Sequence, residues 1–352
     1  MPKNYLRKMI EIIFAIVGIA VALKFLPSFI LLSKFVYPNA KFSAIPISFL
    51  NEKELARLLE SKSLEDFKNN VVSKDFIIEG ESIKEMQNSI DESLAKIILM
   101  AKNDSPKKVK GFYDAYLKKI DIDALKNAIK NAIEDKEIEQ YAFSDEIKKI
   151  IEEIKKAEKE EIEEVLRKYG YNISLDMKFE EIEREIDKKI IKDLMKVPLP
   201  SSCNKAREKF IKVFIDILNL KTLLRGKYYN LRNIERSIIE GGWEITEWQI
   251  MELLKIDSIP EIVSLLEGTS YMPYLRQAIT DFEKEGVIAL EKALDKYLID
   301  AVGDIANEYP LSIGPGIRFL VEKEFEARNL KAIVKAIGEE MREEAWKVIV
   351  TQ

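Results

Sequence analysis

Apolar residues recur three and four positions apart along most of this chain, which is the spacing of helices with one buried face. In Phe49–Phe76, Asn51 stands where a helix N-cap is expected, and Glu54 three residues later resembles the second half of a capping box. The apolar stripe that follows consists of Leu55, Leu58 and Leu59. Ser63 is placed to cap a second helix. The segment therefore predicts two short, capped, amphipathic helices.

The same layout returns at Glu244–Tyr271, 195 residues farther on, without a gap. The matched pairs are Leu50 and Ile245, Asn51 and Thr246, Leu55 and Ile250, Leu58 and Leu253, Leu59 and Leu254, Ser63 and Ser258, Leu64 and Ile259, and Phe76 and Tyr271. Because both the caps and the stripe recur, the two segments indicate an internal repeat.

A shorter motif recurs inside longer helical segments. Its members are Ala124-Leu125-Lys126, Asn219-Leu220-Lys221 and Asn329-Leu330-Lys331, with a shorter fourth, Asn39-Ala40-Lys41. A basic residue follows six positions after the first residue of each full motif, as Lys130, Arg225 and Lys335. Asn inside a helix costs stability, so we expect the amides of Asn219 and Asn329 to be buried and bonded to a neighbouring helix.

Four motif helices separated by intervals of similar length predict a threefold repeat. The expected units are an N-terminal anchor at residues 1–34 and helical repeats at 35–120, 121–215 and 216–352, the last with a closing helix. The 13 Gly and 11 Pro among 352 residues, together with these patterns, favour an all-α fold. Basic and acidic residues, 56 and 61, are interleaved along the chain, which is not typical of a nucleic-acid-binding protein.

The residues available for chemistry are few. The chain has no His, Cys203 is its only thiol, and no phosphate-binding glycine loop or nucleophile elbow is found. We therefore expect no catalytic residues, cofactor, metal or small-molecule substrate. The Glu-rich segment Lys155–Lys168 alternates in sign at helical spacing, which favours a solvated helix face over a carboxylate metal or catalytic site.

Met9–Leu32 is a 24-residue apolar segment near the N-terminus. A helix needs about 20 apolar residues to cross a bilayer, whereas Lys24 opposes insertion by roughly 2.5–3.5 kcal/mol near the centre. The balance favours insertion and predicts a membrane helix in contact with lipid. The alternative is a helix that lies flat at the interface.

The motifs resemble those of the C subunit of the A/V-type rotary ATP synthase, whose counterpart in the eukaryotic vacuolar enzyme is the d subunit. "FVYPNAKF" is similar to the first helix of that family, and "NLKTLLRGK" and "NLKAIVKA" are similar to its recurring helices. Gly241-Gly242 looks like the glycine pair that precedes a helix in the family. The resemblance covers roughly Phe35–Val350. Ala142–Glu153 aligns poorly, and the N-terminal apolar segment lies outside the family pattern.

The resemblance implies a pseudo-threefold funnel of helices that has no catalytic activity. Such a protein sits at the cytoplasmic face of the cell membrane and transmits torque between the proteolipid ring and the D/F-type subunits of the central stalk. A membrane-tethered helical scaffold unrelated to ATP synthesis is the alternative. The residues assigned to the structural repeat motif are Asn39, Lys41, Leu125, Lys126, Asn219, Leu220, Lys221, Arg225, Asn329, Leu330 and Lys331.

Overall fold

The computed structural model describes residues 3–352; within the first helix it describes the side chains at positions 11–19, 23, 24, 26, 29, 30, 32 and 33. The described residues form helices and connecting segments without a β-strand, so the all-α prediction is confirmed. The helices are α1 (Lys3–Ser33), α2 (Val36–Ala44), α3 (Glu52–Leu59), α4 (Leu64–Asn70), α5 (Ile83–Asp104), α6 (Lys110–Ile120), α7 (Ile122–Ile133), α8 (Asp145–Ile154), α9 (Ile162–Lys168), α10 (Phe179–Lys196), α11 (Ser201–Tyr228), α12 (Glu247–Leu253), α13 (Ile259–Ser264), α14 (Met272–Glu285), α15 (Val287–Glu308), α16 (Gly314–Gly338) and α17 (Arg342–Val348).

One order of elements occurs three times along the chain: a motif helix, a pair of short helices, and a long helix. The first copy is α2, α3–α4 and α5; the second is α6–α7, α8–α9 and α10; the third is α11, α12–α13 and α14–α15. A fourth motif helix, α16, and the short α17 end the chain. The boundaries of the predicted repeats at 35–120, 121–215 and 216–352 stay a prediction.

The short helices begin at the residues that the sequence indicated. Asn51 accepts hydrogen bonds from the backbone N–H groups of Lys53 and Glu54 at 3.0 and 3.3 Å. Ser63, Thr246 and Ser258 cap α4, α12 and α13 in the same way. The predicted reciprocal bond from Glu54 is wrong, because its carboxylate pairs with the guanidinium of Arg57.

The second copy aligned poorly in sequence for a specific reason. The buried side chains of α8 include Ile147, Ile150 and Ile151, which have the same spacing as Leu55, Leu58 and Leu59. Counted from this stripe, the position equivalent to Asn51 is Phe143, whose side chain cannot cap a helix. Ser144, one residue later, makes no side-chain capping bond. The stripe is therefore kept while the polar cap is lost.

α16 packs against elements from both ends of the chain. It contacts α2, α3, α4 and α5 of the first copy, α11 and α15 of the third, and α17. Its side chains belong to the larger apolar core, which draws on the first and third copies and, from the second, on α6 and the C-terminal part of α10. A smaller core between α7, α8, α9 and α10 belongs to the second copy alone.

The predicted N-terminal helix forms as α1, but its membrane insertion is not supported by the structure. Among the residues described, none of the helices combines the length and the apolarity that a membrane span requires. Part of the predicted span Met9–Leu32, including the side chains at Met9, Ile10 and Ala20–Ala22, lies outside the described residues.

The mid-helix amides of Asn219 and Asn329 are 2% and 0% exposed. Asn219 donates to the carbonyl of Ile239 at 2.8 Å and accepts from its N–H at 2.9 Å. Asn329 forms the same pair of bonds with Val350, at 2.7 and 3.0 Å, and also donates to the carbonyl of Phe49. The expected partner was a neighbouring helix, and that expectation is wrong: both amides hold irregular backbone, whose polar groups would otherwise be buried unpaired.

We predict that Asn219→Ala and Asn329→Ala each lower the free energy of unfolding by roughly 1–3 kcal/mol, because each leaves a buried N–H and a buried C=O without partners. Denaturant titration followed by circular dichroism measures the change. Asn88→Ala, on an exposed position of α5, is the matched control and should leave stability almost unchanged. Parent-like unfolding of both buried-site variants would contradict the structural role.

Candidate functional site

The third residue of each full motif forms an ion pair with an aspartate on a long helix. The pairs are Lys126 with Asp187 at 2.7 Å, Lys221 with Asp295 at 2.5 Å, and Lys331 with Asp91 at 2.7 Å. They join α7 to α10, α11 to α15, and α16 to α5. One contact is thus made three times, and α16 makes it with the long helix of the first copy.

These pairs are partly shielded from water, and this burial shifts the pKa values of some of their members. Burial lowers the pKa of the Lys221 ammonium, although Asp295 favours its charged form. Burial likewise raises the pKa of Asp187, against the opposing influence of Lys126. Removing one member of such a pair leaves an uncompensated charge in a poorly hydrated place. The pairs therefore fix which helices lie together.

Two cavities that are lined by both charged and apolar side chains lie beside the three pairs. The larger, about 670 Å³, lies between α5, α7, α10, α11 and α16 and is lined by Lys126 and Lys331 with their aspartates. The smaller, about 150 Å³, is lined by Lys221 and Asp295. Both cavities share Lys119, Phe214, Glu324 and Arg328 as lining residues. Together these side chains define the charged interior of the molecule.

Other ion pairs connect the copies across this charged interior. Lys119 of α6 binds Glu324 of α16 at 2.6 Å, and the hydroxyl of Tyr116 donates to the same carboxylate. Arg328 of α16 binds Asp295 of α15 at 2.8 Å, so this buried carboxylate holds two cations. The side chains that line the interior are thus largely paired with one another.

Arg225, also assigned to the motif, lies one turn beyond Lys221. Its guanidinium makes two parallel bonds of 2.7 Å to Glu291 of α15. This bidentate geometry adds direction to the contact between α11 and α15.

A set of buried carboxylates was not predicted from the sequence. Asp121, Asp216 and Glu326 each precede the first motif residue by three positions, and all are buried. The equal spacing was a usable signal, yet the residues were not singled out, because acidic residues are abundant and most lie on exposed faces. In each case the carboxylate accepts hydrogen bonds from backbone N–H groups just before a short helix.

Asp216 makes the most extensive of these contacts. One oxygen, Oδ2, accepts from the N–H groups of Trp243 at 2.9 Å and Glu244 at 2.8 Å, and from the hydroxyl of Tyr271 at 2.7 Å. Burial raises the pKa of Asp216, whereas these hydrogen bonds favour its charged form. The carboxylate therefore joins α11 to the segment before α12 and to Tyr271, the residue that precedes α14.

The other two carboxylates act similarly. Asp121 accepts from the N–H of Ser144 at 2.6 Å and from that of Phe143 at 3.1 Å. Glu326 accepts from the N–H of Phe49 at 2.7 Å and pairs with Lys323 at 2.8 Å. Burial raises the pKa of both carboxyl groups. Glu326 lies on α16 but holds the loop before α3, so the contact joins the two ends of the chain.

The Gly241-Gly242 pair fits closely around Asp216. Gly241 has a φ of 95°, a backbone conformation that side chains disfavour. A Cβ atom at Gly242 would overlap Oδ1 of Asp216 and approach the carbonyl of Ile245 at 2.6 Å. Both positions therefore require glycine if the segment is to reach the carboxylate.

The remaining motif residues have packing roles. Leu125, Leu220 and Leu330 are fully buried in the two cores. Asn39 donates to the carbonyls of Pro310 and Ser312 at 2.8 and 3.1 Å, and Lys41 pairs with Asp104 at 2.7 Å. The fourth motif thus joins α2 to the start of α16 and to α5.

The charged side chains of this arrangement hold the helices together. Its carboxylates bind backbone N–H groups, hydroxyl groups or cationic side chains, which leaves them engaged within the protein. In the part of the chain that the structure describes, no group of three or more His, Cys, Asp or Glu side chains is placed to hold a metal ion.

Comparison with known proteins gives a consistent result. Residues 38–347 match the family described as the ATP synthase (C/AC39) subunit, so α1 lies outside the matched range. The chain is similar to the C subunit of the A-type ATP synthase of Pyrococcus abyssi, with 27% identity over 89% of both chains. It is also 29% identical to the protein of that name from Methanothermobacter thermautotrophicus, over 92% of this chain and 89% of the relative.

We predict that Gly242→Ala destabilises the protein, because the added methyl group displaces the segment held by Asp216. A loss of about 1–3 kcal/mol, the usual cost of overpacking a tight site, should be seen in denaturant titration. Gly303→Ala is the matched control: its Cβ would meet no atom within 4 Å, and Ala is favoured over Gly in a helix by about 1 kcal/mol. Equal stability of the two variants would contradict the close fit at Gly242.

Proposed function

The chain belongs to the ATP synthase (C/AC39) subunit family, and we propose that it is the non-catalytic rotor component that couples the proteolipid ring of an A-type ATP synthase to the central stalk. The observation that carries the proposal is the family match over residues 38–347, in a protein whose motif lysines surround a charged interior. In this role the protein transmits torque during ion-driven ATP synthesis and binds no nucleotide, nucleic acid or small substrate.

We propose the charged interior as the surface that receives the D/F-type stalk subunits. Its lining includes charged side chains, which are arranged as lysine–aspartate pairs with partners in all three copies. A partner with complementary charges can bind there without burying an unpaired ion, because each charge already has a counterion. Three similar contact sites also provide several points at which torque is transmitted.

The contacts of α16 support a closed, funnel-shaped array. Its Glu326 binds the N–H of Phe49, its Lys331 binds Asp91 of α5, and the N–H of Gln352 donates to the carbonyl of Leu50 at 3.1 Å. α16 therefore makes two kinds of contact with the first copy, a carboxylate–backbone hydrogen bond and a lysine–aspartate pair. α11 makes the same two kinds of contact with the third copy. Packed helices deform little, so a closed array suits torque transmission.

We further propose that the protein acts at the cytoplasmic face of the cell membrane and that α1 anchors it there. Ile16, Ile19 and Phe29 of α1 are 60%, 61% and 70% exposed. Side chains of this kind normally lie against protein or lipid. The proposed location is the axis of the proteolipid ring, where a helix attached to a rotating protein does not move through the surrounding lipid.

The coupling role is tested by Asp91→Asn combined with Lys331→Gln. This change removes both charges of one pair and keeps the side-chain volumes, so the fold should persist. We expect binding of purified D/F-type stalk subunits to weaken about tenfold or more, the effect of losing roughly 1.4 kcal/mol of interface energy, while ring binding is unchanged.

Glu92→Gln with Lys96→Gln, an exposed pair on the same helix, is the control and should bind the stalk as the parent does. Affinity purification of the tagged parent from solubilised membranes should also recover both ring and stalk subunits. Recovery of neither would contradict the rotor function and would favour an unrelated scaffold. ATP binding by the isolated protein in calorimetry would contradict its non-catalytic assignment.

The anchoring role predicts that the full chain stays in the membrane pellet after alkaline carbonate treatment. Ile16→Asp with Ile19→Asp should release it, since each Asp opposes insertion by roughly 2.5–3.5 kcal/mol. Both positions are exposed, so neither change disturbs the core. Ile16→Leu with Ile19→Leu is the control and should stay in the pellet. Complete extraction of the parent protein would contradict anchoring by α1.

A further inference from the structure

The loops that precede the long motif helices meet at one end of the molecule. Tyr113 of α6 links two of them, because its hydroxyl accepts from Ser105 at 2.8 Å and packs against Gly316 at the start of α16. Near the start of α11, Arg207 donates to the carbonyl of Val197, and Cγ1 of Val197 would lie 3.4 Å from a Cβ atom at Gly111 of α6. Segments 105–109, 197–200 and 309–313 therefore lie close together.

α1 leaves the molecule from the same end. α2, which follows it after two residues, is fixed there by Asn39, which donates to the carbonyls of Pro310 and Ser312. Lys41 adds an ion pair with Asp104 at the end of α5. The helix with exposed apolar side chains thus ends, at Ser33, beside the three loops.

This end carries a surplus of free positive charge. Six lysines in or next to the three loops and α2 are at least partly exposed, and among the described residues they form no ion pair; we call them the lysine collar. They are Lys34, Lys107, Lys108, Lys110, Lys196 and Lys205. The carboxylates at this end are already neutralised, Asp104 by Lys41 and Glu308 by Lys209 at 2.7 Å.

We propose that the lysine collar binds the headgroups of anionic phospholipids. Its members are lysines, which act as point charges on flexible stems and suit a mobile anionic surface. Arginine would be expected where rigid, bidentate recognition of a protein carboxylate or a bound phosphate is needed.

The surface of α1 supports lipid as the partner. The described side chains from Ile12 to Ile19 include six large apolar residues that are at least half exposed, and successive positions turn by about 100°, so they cover about 220° of the helix circumference. They are Ile12, Ile13, Phe14, Ile16, Val17 and Ile19. Free lysines beside such a helix match the boundary between headgroups and acyl chains. Binding to lipid headgroups is separate from the coupling function, because it requires neither the ring nor the stalk. It can therefore be measured with lipid vesicles alone.

Flotation of the full chain with vesicles tests the proposal. Phosphatidylcholine vesicles are compared with vesicles that also contain phosphatidylglycerol, at low and at high salt. We expect tighter binding to the anionic vesicles, with a preference that salt weakens by screening. One lysine near an anionic surface is worth about a fivefold change in affinity. Lys107→Gln, Lys108→Gln and Lys196→Gln together should therefore reduce the preference by about a hundredfold.

The matched control neutralises three other exposed lysines on or beside α3 and α4, Lys53, Lys62 and Lys68, and should keep the full preference; Leu64 of α4 contacts Gly338, at the opposite end of α16 from the collar. Binding through α1 does not obscure the result, because the readout is the difference between anionic and neutral vesicles. As a local readout, a fluorophore on Ser201→Cys in a Cys203→Ser background should be quenched by headgroup-labelled anionic vesicles and much less by neutral ones.

Two outcomes would overturn the proposal. In the first, binding and quenching are equal for both vesicle types. In the second, the triple variant binds anionic vesicles as the parent does but loses binding to purified ring in neutral lipid, which would assign the collar to an acidic protein surface. Neither outcome bears on stalk binding, so the failure of the collar is distinguishable from failure of the coupling function.

Discussion

A buried carboxylate three residues before each full motif makes the interaction on which the arrangement of this protein depends. Asp121, Asp216 and Glu326 lie away from water, and each accepts backbone N–H groups from the segment before a short helix. A buried charge without hydrogen-bond partners is strongly unfavourable. Moving one of these backbone segments away from its carboxylate therefore raises the free energy of the folded protein. Where these segments are held, the short helices begin, and their apolar stripes then face the core.

The lysine–aspartate pairs complete this arrangement from the other side of each motif helix. The carboxylate lies three residues before the motif and the lysine is its third residue, so one helix binds a loop and a long helix within a few turns. Because each lysine meets an aspartate inside the molecule, the interior stays polar without excess charge. An interior of this kind can remain stable in the free protein and still accept a charged partner, since its ions already have counterions.

The three copies differ in their motif residues, in the continuity of the motif helix and in the core that they pack into. In the second copy Ala124 replaces the asparagine, the motif helix is interrupted at Asp121, and α7 to α10 enclose a core of their own. In the first copy the bracing residues come from α16, at the other end of the chain. The fold of the first copy therefore depends on contacts that form only when both ends of the chain meet.

The sequence by itself determined the helical class, the caps at Asn51, Ser63, Thr246 and Ser258, and the buried leucines of the motif. These features depend on periodicity and on local hydrogen bonds within four residues. Only the tertiary structure decided what Asn219 and Asn329 bind, which aspartate each motif lysine meets, and why Gly242 cannot carry a side chain. Those partners are separated by twenty to almost three hundred residues, and a pattern on one helix does not contain the position of another. The buried carboxylates show the difference most clearly, because their spacing was present in the sequence but their burial was not.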